Sequence, residues 1–141
     1  MTVKIKVVGN VPVYVRFGDA GCDLIADEDV VVGAQSRKLV NTGTWLEIPD
    51  GYVGLIHPRS GLALKQGLTV LNTPGTIDSG YRGEIGVILY NSTHEIIEIS
   101  KGTRIAQMVF QKFETAEFEI VDALADSERG ECGFGSSGTS S

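Results

Sequence analysis

The chain has 141 residues, 42% of them hydrophobic, and carries a net charge of −6 from 12 Lys+Arg against 18 Asp+Glu. That length suits one domain that can bury a core without staples, and the acidic balance excludes an overall basic surface for gripping a nucleic-acid polymer. The two cysteines, Cys22 and Cys132, fit neither a disulfide framework nor a zinc spacing, so a reducing, cytoplasmic setting is the simplest expectation.

At the N-terminus Val3, Ile5 and Val7 alternate with Thr2, Lys4 and Lys6, the pattern of a half-buried strand and not of a signal peptide. No apolar run approaches the roughly 20 residues that cross a bilayer, so a soluble protein without membrane contact is expected. Further β-branched or aromatic runs predict strands at Val30 to Val32, Lys38 to Ile48, Gly51 to Ile56, Leu68 to Leu71, Glu84 to Tyr90, Glu95 to Ile99, Arg104 to Phe113 and Glu117 to Val121. Turn signals divide them, among them Gly9-Asn10, Gly18-Asp19, Pro49-Asp50-Gly51 and Asn72-Thr73-Pro74-Gly75. Many short strands at this spacing predict an all-β sandwich, barrel or jelly roll. One short helix is predicted, with Ser60 as N-cap, Gly67 as its stop, and Leu62 or Leu64 packing it down.

Four places carry candidate chemistry. At Arg59-Ser60-Gly61 a guanidinium, a hydroxyl and helix N–H groups converge where a phosphate would bind, although an ordinary capped helix explains the same residues. Gly75 to Ile85 reads as a long hairpin. Asp78 is a candidate general base on water there and Tyr81 a candidate stacking residue, although Asp78-Ser79-Gly80 is also common turn chemistry. Gln107, a lone amide in an apolar strand, needs a partner, which a phosphate or a neighbouring backbone would equally supply. Residues 127–141 hold one large apolar side chain, Phe134, among glycines and serines, and are expected to form a mobile arm beyond a domain spanning 1–126. Its GxGxxG pattern lacks the strand–turn–helix context of a dinucleotide site. An arm closing Arg129, Ser136 and backbone N–H groups on phosphates, with Phe134 over a base, is the better physical idea. His57 and His94 fall in no metal-ligand spacing.

In order, the chain carries Ala20-Gly21-Cys22-Asp23-Leu24, Pro58-Arg59-Ser60-Gly61-Leu62-Ala63, Gly75-Thr76-Ile77-Asp78-Ser79-Gly80-Tyr81-Arg82-Gly83-Glu84-Ile85, Gly102-Thr103-Arg104-Ile105-Ala106-Gln107, and Arg129-Gly130 with Gly133-Phe134-Gly135-Ser136-Ser137-Gly138. This series resembles the five ordered motifs of the trimeric dUTPase family over nearly the whole chain. The resemblance implies a jelly-roll subunit and a homotrimer whose three sites each draw on all three chains. It implies hydrolysis of dUTP to dUMP and pyrophosphate with Mg2+, which limits uracil in DNA and supplies dUMP. Arg59, Ser60, Gly61 and Gln107 would then contact phosphates, and Asn72 with the backbone of Thr76, Ile77 and Gly86 would read uracil. Tyr81 would pack on deoxyribose, rejecting UTP, and Asp78 would deprotonate the water attacking the α-phosphorus. Arg129 would clamp the γ-phosphate with Gly135, Ser136 and Ser137 beside it, and Phe134 would stack over uracil. Magnesium would be held chiefly by substrate phosphates, with no direct protein ligand and Asp23 reaching it through water. The related dCTP deaminases carry a glutamate where this chain has Ile88, which speaks against deamination. A non-catalytic regulatory relative would be expected to lack Asp78, Tyr81 or Arg129, and all three are present.

Overall fold

The computed structural model describes residues 2–135. Ten strands and one helix follow in the order β1 Lys6–Gly9, β2 Cys22–Ile25, β3 Val30–Val32, β4 Arg37–Glu47, β5 Tyr52–His57, α1 Ser60–Gln66, β6 Leu68–Val70, β7 Gly75–Ile77, β8 Glu84–Asn91, β9 Ile97–Ile99 and β10 Arg104–Lys112. One four-stranded sheet runs β1-β4-β8-β6, a second runs β2-β10-β5-β7, and β3-β9 forms a two-stranded flap. All pairings are antiparallel. The all-β expectation holds, as open sheets without a closed barrel.

Strict alternation makes β8 the organising strand. Ile85, Val87, Leu89 and Asn91 point inward and their neighbours do not, as a period of two requires. Across the sandwich they meet Leu24, Ile56, Ile105 and Met108 in one core with Val40, Leu68 and Val70. Asn91 is the polar member of that row and fully buried. Its Nδ2 donates to the carbonyls of Val32, Gly33 and Glu95, and its Oδ1 accepts from the Thr93 N–H and hydroxyl. It therefore ties β8 to the flap. Asn91→Ala would strand several buried backbone groups, so a loss of about 3 kcal/mol is expected, read by chemical denaturation. An unchanged midpoint would show those groups to be satisfied otherwise.

Strand β4 breaks its alternation at Thr42, Gly43 and Thr44, which are buried in succession. The register with β8 shifts between Asn41 and Trp45, and Gly43 sits at φ 67. This is a β-bulge, in a conformation that glycine adopts without strain. The flanking hydroxyls are satisfied, Thr42 Oγ1 donating to the Ile85 carbonyl at 2.6 Å and Thr44 Oγ1 to that of Asn10 at 2.7 Å.

Three expectations need correction. Ser60 opens the helix instead of capping it; Arg59 occupies the cap position with no side-chain cap bond. Gly67 does end it in the left-handed region, and Leu62, not Leu64, packs on the core. The N-terminal strand begins later, at Lys6, where β4 offers a partner through the Lys6–Glu47 pairing. Glu117 to Val121 forms no strand: it is exposed throughout and pairs with none of the described strands. Every residue from 111 to 135 is exposed. The long hairpin is also more than a loop: β6 pairs with β8, while β7 between them crosses to β5 in the opposite sheet.

Candidate active site

That crossing splays the sandwich and leaves a hollow of about 470 Å³ between the sheets. Asn72, Thr76, Ile77, Asp78, Tyr81 and Gly86 all line it, as do Leu39, Asn41, Glu84 and Ile88. Each sequence-derived candidate of the hairpin therefore faces one cavity. Gly86 and Leu39 meet in its wall, where a Cβ on Gly86 would press to 2.7 Å from Leu39 Cδ1. At the lip, Asp78 is exposed, and its carbonyl accepts the Tyr81 N–H at 3.1 Å in a tight turn. Its carboxylate makes no ion pair among the described residues, which leaves it available to a water. Tyr81, 45% exposed, folds its hydroxyl back to donate to the Glu84 carbonyl at 2.9 Å.

A second concavity, about 860 Å³, gathers Arg16, Asp19, Gly21, Asp23, His57, Arg59, Ser60, Gly61, Arg104 and Gln107. Central strand β10 builds it: Gln107 stands in register with Asp23 on one side and His57 on the other. The Gln107 amide donates from Nε2 to the Pro58 carbonyl at 3.1 Å. The side chain lies so close over Gly21 that a Cβ there would meet its Cδ at 3.0 Å. Asp23 is buried between two guanidiniums, Arg59 Nε at 3.7 Å and Arg104 Nε at 3.7 Å. Arg59 also donates from Nη1 to the Arg104 carbonyl at 3.2 Å. One carboxylate thus fixes two cations whose faces remain half-open to the concavity, the arrangement that receives a polyanion. Beside Gly61 nothing lies within 4 Å of a would-be Cβ, so phosphate oxygens have free approach to the helix start.

Arg129, Phe134 and Gly135 line neither hollow. Arg129 Nε donates to the Cys132 carbonyl at 2.6 Å, and Phe134 is fully exposed at φ 49. Ser136 and Ser137 lie outside the described residues. Among the described residues no three His, Cys, Asp or Glu side chains cluster as metal ligands. Buried Cys22 donates from Sγ to the Met108 carbonyl at 3.3 Å, and burial pushes its thiol pKa up, which keeps it an inert core residue. Sequence reading gave no role to Arg104, Arg16, Asn41 or Glu84. The signal for Glu84 was an acidic residue opening an otherwise apolar strand, and for Arg104 a cation two positions after Gly102 at a strand start.

The dUTPase family model matches residues 9–138. The chain is 53% identical over 128 residues to the deoxyuridine 5′-triphosphate nucleotidohydrolase of Thermobifida fusca, covering 90% of this chain and 72% of that one. It is similar to the solved dUTPase of Staphylococcus bacteriophage 80alpha carrying dUpNHpp: TM-score 0.90, 31% identity, 98% of this chain and 100% of that one. A point mutant of the dUTPase from phage phi11 of S. aureus, described with a coordinated structural Mg(II) ion, aligns with TM-score 0.78 at 28% identity, over 86% of this chain and 98% of that one.

Proposed function

The chain belongs to the dUTPase family and hydrolyses dUTP, and from that premise we propose how its own residues do so. The hairpin hollow takes the uracil. Asn72 and the backbone of Thr76, Ile77 and Gly86 supply donors and acceptors for its edge. Tyr81 forms the wall against deoxyribose. Asp78 holds a water in line with the α-phosphorus and accepts its proton as the bond to pyrophosphate breaks. Arg59, Ser60, Gly61 and Gln107 take the phosphates, with Asp23 aiming Arg59 from below. Arg129, Phe134, Gly135, Ser136 and Ser137 arrive on the arm to close the site, which excludes water from the developing charge.

Mg2+ suits this arrangement. It needs few protein ligands when phosphates are present, and the acidic side chain nearest Arg59 is Asp23, which would hold a metal-bound water. When bound, the ion neutralises phosphate charge.

A homotrimer with shared sites is supported by one observation above all: the two hollows have no lining residue in common, and the described part of the arm, 127–135, lines neither. On this reading a single copy holds the parts of a site and other copies join them. Val8, Tyr14, Phe17, Phe118, Ile120 and Leu124 are large apolar side chains exposed in a single copy, which other copies would cover. Among the described residues no helix is long and apolar enough to cross a membrane, and the free cysteines suit the reducing cytoplasm we propose.

The observation that carries this mechanism is Asp78, its carboxylate in no ion pair among the described residues, lining the same hollow as Asn72 and Gly86. Turnover in 18O-labelled water tests it. Label is expected in dUMP, and label in pyrophosphate would refute attack at the α-phosphorus. Run with dCTP, dTTP and UTP and with or without Mg2+, the same assay is expected to favour dUTP and to yield no deaminated product. Ile88, at the position a deaminase gives to glutamate, offers no group to move a proton.

A further inference from the structure

The turn that presents Tyr81 is clamped by residues with no binding role in the site. Residue 83 is a glycine directly beneath the ring. A Cβ there would stand 2.6 Å from Tyr81 Cζ and 2.9 Å from Cε1, and closer still to the hydroxyl oxygen. The missing side chain is what lets the ring fold back and donate its hydroxyl to the Glu84 carbonyl at 2.9 Å. Glu84 is itself anchored: its Oε2 accepts the Gly43 N–H at 2.9 Å. That N–H is diverted to a side chain where the bulge shifts the β4–β8 register, between Asn41 and Trp45. Gly43 cannot carry a side chain either, since its Cβ would lie 2.6 Å from Asp27 Cγ and 2.7 Å from Asn10 Nδ2. Bulge, carboxylate, carbonyl and phenol thus form one continuous linkage from β4 to the ring.

We propose that Gly83 and Glu84 are specificity-determining positioning residues, which hold the Tyr81 ring at one depth in the hollow so that it rejects a ribonucleotide. The inference rests on the reading of Tyr81 as the wall facing deoxyribose. The physical need is one of magnitude. A pocket wall that can yield discriminates against one added hydroxyl by only about a hundredfold, and an exposed tyrosine free to rotate about its side-chain bonds is such a wall. Tethering the ring at its hydroxyl and backing it with the bare Gly83 backbone removes that freedom. The clamp acts on the ratio of substrates more than on the chemistry at Asp78.

The test is the ratio of kcat/KM for dUTP to that for UTP, with thermal midpoints as the folding control. Tyr81→Ala is expected to collapse the ratio, which checks the underlying reading. Gly83→Ala and Glu84→Ala are each expected to lower it by about tenfold, chiefly by raising kcat/KM for UTP; the midpoint is expected to hold in Gly83→Ala and to fall in Glu84→Ala, which leaves the buried Gly43 N–H without its acceptor. Glu84→Gln, whose amide oxygen can still accept from Gly43, is expected to keep it. Collapse in Tyr81→Ala with wild-type ratios in both Gly83→Ala and Glu84→Ala would overturn the clamp and leave the reading of Tyr81 standing. An unchanged ratio in Tyr81→Ala would overturn both. Should the alanine variants fail to fold, Tyr81→Phe removes only the bond to the Glu84 carbonyl: a fall of about tenfold supports the clamp, and no fall overturns it.

Discussion

Asp78→Asn is expected to lower kcat by between about 10² and 10⁴-fold while the affinity for a non-hydrolysable dUTP analogue stays close to wild type. The amide has the shape of the carboxylate and can still orient a water, but it cannot take the proton. The fold gives no reason for a wider effect. Asp78 is exposed, and its contact in the turn is through its carbonyl, which accepts the Tyr81 N–H whatever the side chain. Calorimetric binding and pyrophosphate release, measured on the same preparation, separate the two quantities. Full turnover in this variant would remove Asp78 from the role of base.

Removal of residues 129–141 is expected to cut kcat/KM by about a hundredfold or more and to leave the thermal midpoint where it was. Stability is spared because residues 111 to 135 are all exposed. The hydrogen bonds of Arg129, Gly130 and Cys132 run within residues 127–132. Activity is expected to fall because, in the proposed mechanism, Arg129 and Phe134 supply the clamp and cover that neither hollow provides. Arg129→Ala should reproduce a large part of the loss. Unchanged kinetics after truncation would place the arm outside the site. A fall in midpoint matching the fall in activity would make the arm a structural element.

Much of this was legible in the residues. The alternation of Ile85, Val87 and Leu89 fixed β8 on its own, and Gly67 marked the end of the helix. The two halves of the cast were also visible, since Arg59-Ser60-Gly61 and Asp78 with Tyr81 lie in contiguous motifs. Less was visible where tertiary partners decide. Cys22–Ile25 is too short, and buried at three successive positions, to show a period of two, and it becomes a strand because β10 lies beside it. Glu117 to Val121 has the composition of a strand, but strands need partners and none of the described strands pairs with it. For Asp23 the resemblance implies only a reach to magnesium through water. Its position between Arg59 and Arg104 depends on β2 and β10 pairing over a separation of some 80 residues, which no local pattern announces. Nor does spacing reveal that Gly83 and Gly43 belong to one linkage.

The central claim is that the carboxylate half and the phosphate half of each site come from different copies of the chain. Co-refolding two inactive variants, Asp78→Asn and Arg59→Ala, tests it directly. Mixed assemblies would contain sites that pair the intact Asp78 of one copy with the intact Arg59 of another, so a substantial fraction of wild-type dUTP hydrolysis is expected to return. A mixture as inactive as either variant alone, with mixed assembly verified, would mean that both halves belong to one chain, and the shared site would be wrong.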